Sequence, residues 1–329
     1  MIPSVPTIAL VAVALIFDFL NGFHDSGNIV ATMISSRAMG PRQALFLAFI
    51  ANLCGPFLFG VAVATTIGKG VISPEAIALT VIFAALLGAI LWNLITWYFG
   101  IPSSSSHALI GGMIGAVGVS YGFDMIQIEG LLTVVIALFA SPLLGLITGY
   151  LFMKAVFFLA RGASPRINQF FKRGQIVTSI ALALSHGTND AQKTMGIITM
   201  GLVSAGYLAE FAVPPWVVAL CAVAIALGTI SGGWRIIKTL GIRMYRVRPV
   251  HGFAAQACSA LVVLGAALLG GPVSTTQVVS SAIMGAGSAE RLSKVRWGVA
   301  KSIVIAWIIT IPASMFIAGA LYKLINVVL

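Results

Sequence analysis

The stretch IPSSSSHALIGGMIG, Ile101–Gly115, returns in the second half of the chain as GPVSTTQVVSSAIMG, Gly271–Gly285. Each copy opens with a proline, continues with hydroxyl side chains and ends in small and apolar residues. Proline stops one helix and can start another, and the apolar run that follows is about a dozen residues, too short to cross a bilayer. We therefore expect a re-entrant hairpin or a broken helix in each copy. Irregular backbone at membrane depth is typical of a cavity.

A second pair of motifs repeats in the same order along the chain. NGFHDSGN, Asn21–Asn28, is matched by HGTNDAQK, His186–Lys193, and the aligned motifs share a glycine and an aspartate. Two ordered repeats predict two homologous halves. We expect a first repeat at residues 1–160, a basic linker at 161–174 and a second repeat at 175–329.

The composition indicates a membrane protein. Hydrophobic residues make up 59% of the 329 residues and charged residues only 8%, whereas soluble domains have about 25% charged residues. Apolar windows of helix length recur, and the alternating pattern of an outer-membrane barrel is missing. We predict an all-α polytopic membrane protein, with the second and third spans of each half plain and unbroken. The expected spans are Thr7–Ser36, Gln43–Ile67, Ala76–Phe99 and Leu131–Leu159, then Gln175–Leu208, Pro214–Trp234, Gly252–Gly270 and Trp297–Leu321.

Basic residues form two groups, and the formal net charge is +11. Because cytoplasmic loops of membrane proteins carry excess lysine and arginine, we expect both groups to lie on the cytoplasmic side of the inner (plasma) membrane. Few aromatic residues interleave with them, which favours contact with the lipid bilayer over nucleic acid. The groups are Lys154, Arg161, Arg166, Lys172 and Arg173, and Arg235, Lys238, Arg243, Arg246 and Arg248.

Polar residues share one helix face in each half and form two polar stripes. The stripes are Asp18, Asn21, Asp25 and Asn28, and His186, Asn189, Asp190 and Lys193. Burying an ionisable side chain in a span costs roughly 2.5–3.5 kcal/mol, so such residues are either functional or interhelical hydrogen-bonding groups. Duplication favours function for Asp25 and Asp190, but Asp18 corresponds to Ala183 and gains no such support. Carboxylate and amide oxygens suit a hard monovalent cation such as sodium. The expected sodium ligands are Asn21, Asp25, Asn28, Asn189 and Asp190.

The hydroxyl clusters predict an anion site. Hydroxyl groups at a helix N-terminus offer donors and a positive dipole end without a titratable group. The expected ligands are Ser104, Ser105, Ser106, Ser274, Thr275 and Thr276, with His24, His107, Lys193 and Gln277 as accessory residues. Lys193 either neutralises Asp190 or holds an anion. No histidine or cysteine pair has zinc-like spacing, so we expect no cofactor and no metal other than sodium.

These four motifs resemble those of the inorganic phosphate transporter family, often called PiT, whose members are sodium- or proton-coupled phosphate symporters. The resemblance rests on NGFHDSGN, HGTNDAQK, PSSSSHALIGG and PVSTTQVVSSAIMG in this order. It implies inverted halves, extracellular termini, a phosphate site built from the hydroxyl clusters and cation sites built from the polar stripes. Asn before Asp is usual in both stripes of the family, but here the first stripe has His24 before Asp25.

The expected function is sodium-coupled phosphate symport by alternating access, not enzyme catalysis. Amide and imidazole neighbours should keep Asp25 and Asp190 ionised, which favours sodium, while a titratable His24 keeps proton coupling as an alternative. An intramembrane serine hydrolase using Ser103–Ser106 is less favoured, because Gln277 replaces the histidine in the second copy. A channel would need a continuous pore. Whether the chain forms a homodimer stays open.

Overall fold

The computed structural model describes residues 4–244 and 247–328, and helices dominate both ranges. Within them no β-strand occurs beyond an isolated bridge between Ile72 and Ile126, which confirms the all-α prediction. The α-helices of the described residues are α1 Val5–Ser35, α2 Pro41–Cys54, α3 Ala62–Gly70, α4 Leu79–Phe99, α5 Ser105–Ser120, α6 Ile128–Leu159, α7 Ile167–Ser204, α8 Pro215–Ser231, α9 Trp234–Lys238, α10 Pro249–Leu268, α11 Thr275–Glu290 and α12 Trp297–Val328.

Several helices are long and apolar enough to cross a membrane. By length and composition the described residues contain five such helices, α1, α4, α6, α10 and α12, or up to seven if the bent pairs α2–α3 and α8–α9 each count as one span. The chain is therefore a multi-pass membrane protein. The two helices that follow the proline motifs, α5 and α11, have 16 residues each. At 1.5 Å per residue they reach about 24 Å, short of the roughly 30 Å hydrocarbon core.

The prediction of an unbroken second span is wrong in the first half. The segment predicted as Gln43–Ile67 is interrupted after α2 by a 3-10 turn, Gly55–Phe57, and the two parts are bent by 68°. In its counterpart, predicted as Pro214–Trp234, α8 is unbroken to Ser231, and the chain bends by 57° at Gly232 and Gly233, at the predicted end of the span. Pro56 lacks an N–H group and clashes with a continuing helix, and the paired glycines give the second break its freedom.

Helices α1 and α7 satisfy the backbone groups that these breaks expose. At the first break, Gln192 of α7 accepts from the Val63 N–H at 2.8 Å and donates to the Gly60 carbonyl at 2.8 Å. At the second break, Ser26 of α1 accepts from the Gly233 N–H at 2.7 Å. Non-helical backbone is stable at membrane depth when other protein groups pair with it in this way. The two polar helices therefore hold both broken spans in place.

The last helix of each half, α6 or α12, packs against the hydroxyl-bearing helix of the other half. Helix α5 lies between α4 and α12, and α11 lies between α10 and α6. The approach is close: a Cβ atom on Gly149 of α6 would lie 2.6 Å from the Ala282 carbonyl of α11, and one on Gly111 of α5 would lie 2.5 Å from the Ile311 carbonyl of α12. The two halves are interlocked.

The segment that joins the two halves is shorter than the sequence predicts. Residues 160–166 join α6 to α7, so residues 167–174 of the expected linker are helical. Half of the ten residues in the two basic groups lie on α-helices: Lys154 on α6, Lys172 and Arg173 on α7, and Arg235 and Lys238 on α9. Arg246 lies outside the described residues.

Candidate functional site

The two predicted polar stripes lie on α1 and α7, which pack against each other. Every member of both stripes is at most 1% exposed. The stripes meet at His186, whose Nε2 lies 3.0 Å from Asp190 Oδ2 and 3.7 Å from Asp25 Oδ2. The sequence predicts two stripes, and the structure joins them into one buried cluster.

The two hydroxyl clusters begin α5 and α11 as N-terminal caps. Ser104 Oγ accepts from the His107 N–H at 3.1 Å, and Ser274 Oγ accepts from the Gln277 N–H at 3.3 Å. Other first-turn N–H groups of a helix have no intrahelical acceptor, and the helix dipole makes this end positive. The two ends meet, because Ser106 Oγ donates to the carbonyl of Val273 at 3.3 Å. This geometry suits an oxyanion.

The hydroxyl clusters contact the polar stripes directly. Thr276 donates to Asp25 Oδ1 at 2.8 Å while its oxygen accepts from Asn28 Nδ2 at 3.0 Å. The sequence does not predict this contact, because the groups lie near opposite ends of the chain. Two further hydroxyls also donate to the stripes: Thr275 to Asp190 Oδ2 at 2.7 Å and Ser105 to Asn21 Oδ1 at 2.7 Å.

Lys193 of α7 is buried and directed at three oxygen acceptors. Its Nζ donates to the carboxylate of Asp190, to Ser106 Oγ at 2.6 Å and to the Val273 carbonyl at 2.9 Å. An ammonium group has three N–H donors, so this set uses all of them. Of the two roles that the sequence leaves open, pairing with Asp190 is the one present in the structure.

Sequence reasoning missed Asn52, which orients His186. Asn52 Nδ2 donates to Thr229 Oγ1 at 2.8 Å, so its Oδ1 faces His186 Nδ1 at 3.0 Å and accepts from it. With Nδ1 held by Asn52, Nε2 is the ring atom that faces the two carboxylates. The available signal was an amide within the apolar stretch 44–54 of α2.

One group of side chains has the geometry of a cation site. Asp25, His186 and Asp190 each offer a ligand atom, and these atoms lie within 4.8 Å of one another. The sequence predicts oxygen ligands alone, because it shows no paired histidines. The structure differs from this prediction, since the group includes the imidazole nitrogen of His186. Asn28 Oδ1, on the same face of α1, is buried without a hydrogen-bond partner among the described residues.

The remaining predicted residues surround this cluster. His24 Nδ1 lies 2.9 Å from Asp25 Oδ1, and Asn189 Nδ2 donates to the Gly271 carbonyl at 3.1 Å. His107 Nδ1 lies 2.8 Å from Ser104 Oγ, and its Nε2 lies 3.4 Å from Gln277 Nε2. Asp18 is also fully buried on α1, but among the described residues it makes no hydrogen bond to the six predicted phosphate ligands.

The chain is similar to known proteins over nearly its whole length. The model of the phosphate transporter family matches residues 21–318. The chain is 48% identical to a probable low-affinity inorganic phosphate transporter of Rhizobium meliloti strain 1021, over 96% of this chain and 95% of that protein. It is 44% identical to the corresponding transporter of Bacillus subtilis strain 168, over 98% of each chain.

A solved structure is also similar. It is described as the sodium-dependent phosphate transporter and has a TM-score of 0.89 and 25% sequence identity to this chain, covering 99% of this chain and all of the other. These proteins are transporters and not enzymes, which excludes the hydrolase alternative. The chain belongs to the phosphate transporter family.

Proposed function

We propose that this chain is a sodium-coupled phosphate symporter that works by alternating access. One observation carries the proposal: the Thr276 hydroxyl, a donor suited to an oxyanion, donates to the carboxylate of Asp25, an acceptor suited to a cation. Because the Thr276 hydroxyl has a single hydrogen atom to donate, to Asp25 or to an anion, binding of the cation and binding of phosphate depend on each other. The similarity to a sodium-dependent phosphate transporter supports sodium as the cation.

The proposed phosphate site lies where the N-termini of α5 and α11 meet. Their first-turn amides and hydroxyl groups can surround a tetrahedral anion with neutral donors. In the structure, several of these hydroxyls donate to protein acceptors, so phosphate must replace those hydrogen bonds. The proposed ligands are Ser104, Ser105 and Ser106 of the first cluster and Ser274, Thr275 and Thr276 of the second, with His107 and Gln277 beside them.

The proposed cation site is centred on Asp25. Asn28 Oδ1 and the Asn21 side chain lie on the same buried face of α1, and the proposed ligands from α7, Asn189 and Asp190, are buried as well. A sodium ion held by Asp25 replaces the Thr276 hydrogen atom as partner of the carboxylate, so this hydrogen atom can turn to phosphate. By linkage, phosphate then raises the affinity for sodium by the same factor as sodium raises the affinity for phosphate.

We further propose two inverted repeats, residues 1–160 and 175–329, with the joining segment on the cytoplasmic side of the inner membrane. The two pairs of matched motifs, which keep the same order in each half, support the repeat. The positive charge around residues 161–174 supports the orientation. Cysteine accessibility on either side of sealed vesicles tests it.

A proton-coupled symporter is the second candidate, and one contact favours it. His24 Nδ1 lies 2.9 Å from Asp25 Oδ1, so a proton carried by this imidazole would provide positive charge at the same carboxylate. The cation would then be supplied by titration rather than by binding of sodium.

Phosphate uptake into proteoliposomes distinguishes the two candidates. We expect an inward sodium gradient at equal pH to drive accumulation, and an inward proton gradient in choline buffer to drive none. The reverse result would reject sodium coupling and favour His24. Accumulation under neither gradient would reject coupled symport altogether.

A further inference from the structure

The repeat places Lys193 at the position that Asn28 occupies in the first half. When Asn21–Asn28 is aligned with His186–Lys193, Asp25 corresponds to Asp190 and Asn28 to Lys193. When the two hydroxyl clusters are aligned from their prolines, Ser106 corresponds to Thr276. Each half therefore provides a carboxylate, a hydroxyl and a third residue, which is the neutral Asn28 in the first half and the charged Lys193 in the second. In the structure each hydroxyl joins the other half's pair, so one set is Asp25, Asn28 and Thr276 and the other is Asp190, Lys193 and Ser106.

The two sets of three share one contact in the structure, the hydrogen bond from the third residue to the hydroxyl. Asn28 donates to Thr276 at 3.0 Å, and Lys193 Nζ donates to Ser106 Oγ at 2.6 Å. The partner of the carboxylate differs: the Thr276 hydroxyl donates to Asp25, whereas the Lys193 ammonium donates to Asp190 and Ser106 donates to the Val273 carbonyl. In both sets the carboxylate comes from the long polar helix and the hydroxyl from the short helix. In the second set the ammonium therefore takes the place beside the carboxylate that a hydroxyl has in the first.

The two carboxylates differ in the charge that faces them. Asp190 has a buried ammonium in contact, and all three N–H donors of that ammonium are used by oxygen acceptors. Asp25 makes no ion pair with lysine or arginine among the described residues, and its neighbouring Asn28 Oδ1 lacks a hydrogen-bond partner there. A buried carboxylate needs a compensating cation. The protein supplies a permanent cation to Asp190 only, because the groups that face Asp25 are the imidazoles of His24 and His186.

We propose that the ammonium of Lys193 permanently occupies the second of two repeat-related cation positions, so that this chain has one exchangeable cation position, at Asp25. An ammonium is a compact point charge with oxygen partners, as sodium is, but it is tethered to α7 and does not leave. Lys193 therefore determines how many cations move with each phosphate. This inference rests on the proposed cation-coupled symport.

The consequence is a lower charge per transported phosphate. Replacing Lys193 by Asn gives position 193 the residue type of its counterpart, Asn28, and leaves Asp190 without its cation. A second external cation then fills the position. The K193N variant should move one more positive charge per phosphate than the wild-type protein, and its sodium dependence should become more cooperative.

The experiment measures the charge per phosphate in proteoliposomes. Fixed sodium and phosphate gradients are imposed, the membrane potential is set with potassium and valinomycin, and the potential at which net phosphate flux vanishes gives the charge. We expect K193N to exceed wild type by one elementary charge and K193R, which keeps a cation, to match wild type. A K193N value equal to that of wild type overturns the inference.

A second variant and a second readout cover failure of K193N to fold or to transport. K193Q removes the same charge with a longer amide side chain and should show the same extra charge per phosphate as K193N; a wild-type charge together with a lower phosphate affinity in both variants would assign Lys193 to the anion instead. In purified K193N, thermal stability should rise more steeply with sodium than in wild type, measured against choline. An identical sodium response overturns the inference.

The outcome for the wild-type protein separates this inference from the proposed function. Wild-type proteoliposomes that accumulate phosphate under neither gradient reject coupled symport. Wild-type accumulation together with an unchanged K193N charge rejects the role of Lys193 alone.

Discussion

At the scale of single residues, Asp25 has three polar neighbours, a hydroxyl group and two imidazoles. Thr276 and His24 lie 2.8 and 2.9 Å from Oδ1, and His186 Nε2 lies 3.7 Å from Oδ2. None of these groups is a permanent cation, so the carboxylate depends on hydrogen bonds and on what the solvent supplies. Its charge is the feature that a substitution should test first.

Replacing Asp25 by Asn should abolish coupled phosphate uptake. The amide keeps the size of the side chain but removes the negative charge that attracts the cation, a change on the order of 1.5–3 kcal/mol for a charge-assisted contact. We expect at least about a 10-fold fall in the initial rate under a sodium gradient. The matched control is Asp124→Asn, an exposed aspartate between α5 and α6, which should transport as wild type does. Uptake by Asp25→Asn at the control rate would exclude Asp25 from coupling.

The same substitution at Asp190 should also abolish uptake, for a different reason. Asp190→Asn leaves the Lys193 ammonium buried without its carboxylate, and breaking a buried pair from one side costs about 3–5 kcal/mol. We therefore expect a lower thermal midpoint for Asp190→Asn in detergent as well as lost transport, whereas Asp25→Asn should lose transport with little change in midpoint. Equal midpoints for the two variants would contradict this distinction.

The Thr276 hydroxyl should contribute to phosphate affinity. Thr276→Val keeps the shape but removes the donor, and a lost hydrogen bond costs about 1–1.5 kcal/mol, so the KM for phosphate should rise roughly 10-fold. Thr276→Ser retains the hydroxyl and should stay near the wild-type KM. The initial rate is measured over a phosphate series at saturating sodium. A valine variant with the serine variant's KM would place phosphate elsewhere.

At the scale of elements, short and broken helices surround the site, and the sequence predicted only some of them. Pro102 and Pro272 marked the starts of α5 and α11, because proline has a local effect on the backbone. The break at Gly55–Pro56 carried a similar local signal but lay in a segment of otherwise uniform hydropathy. The contacts of Lys193 could not be predicted, because its acceptors lie far away along the chain in both directions, Ser106 on α5 and Val273 just before α11.

Gln192 should be essential for the stability of the broken α2–α3 span. Gln192→Leu leaves the Val63 N–H and the Gly60 carbonyl without their partner, at about 1–3 kcal/mol for each buried group. We expect a clearly lower thermal midpoint in detergent. Gln169→Leu, an exposed glutamine on the same helix, is the control and should melt as wild type does. Equal midpoints would mean that other groups pair with the break.

At the scale of the whole molecule, the proposed anion site is built from neutral donors beside carboxylates. That arrangement favours an anion that can also donate a hydrogen bond. Hydrogen phosphate carries such a proton, whereas sulfate has the same shape without it and would be repelled by Asp25 or Asp190.

Sulfate should therefore compete poorly with phosphate, while arsenate should compete well. The measurement is uptake of labelled phosphate into proteoliposomes with increasing unlabelled competitor at fixed pH and sodium. Sulfate that inhibits as strongly as arsenate does would show that the carboxylates do not discriminate between the anions.

The packing of α5 against α12, a helix of the other half, also has a consequence for synthesis in the cell. Helix α5 leaves the ribosome long before its neighbour α12, which begins at Trp297 near the end of the chain. Until then, the face of α5 that carries Gly111 has no permanent cover. The short α5 must therefore wait in the bilayer, covered by lipid or by an insertion factor. Newly made first halves should be the form in which this transporter is most exposed to quality-control proteases.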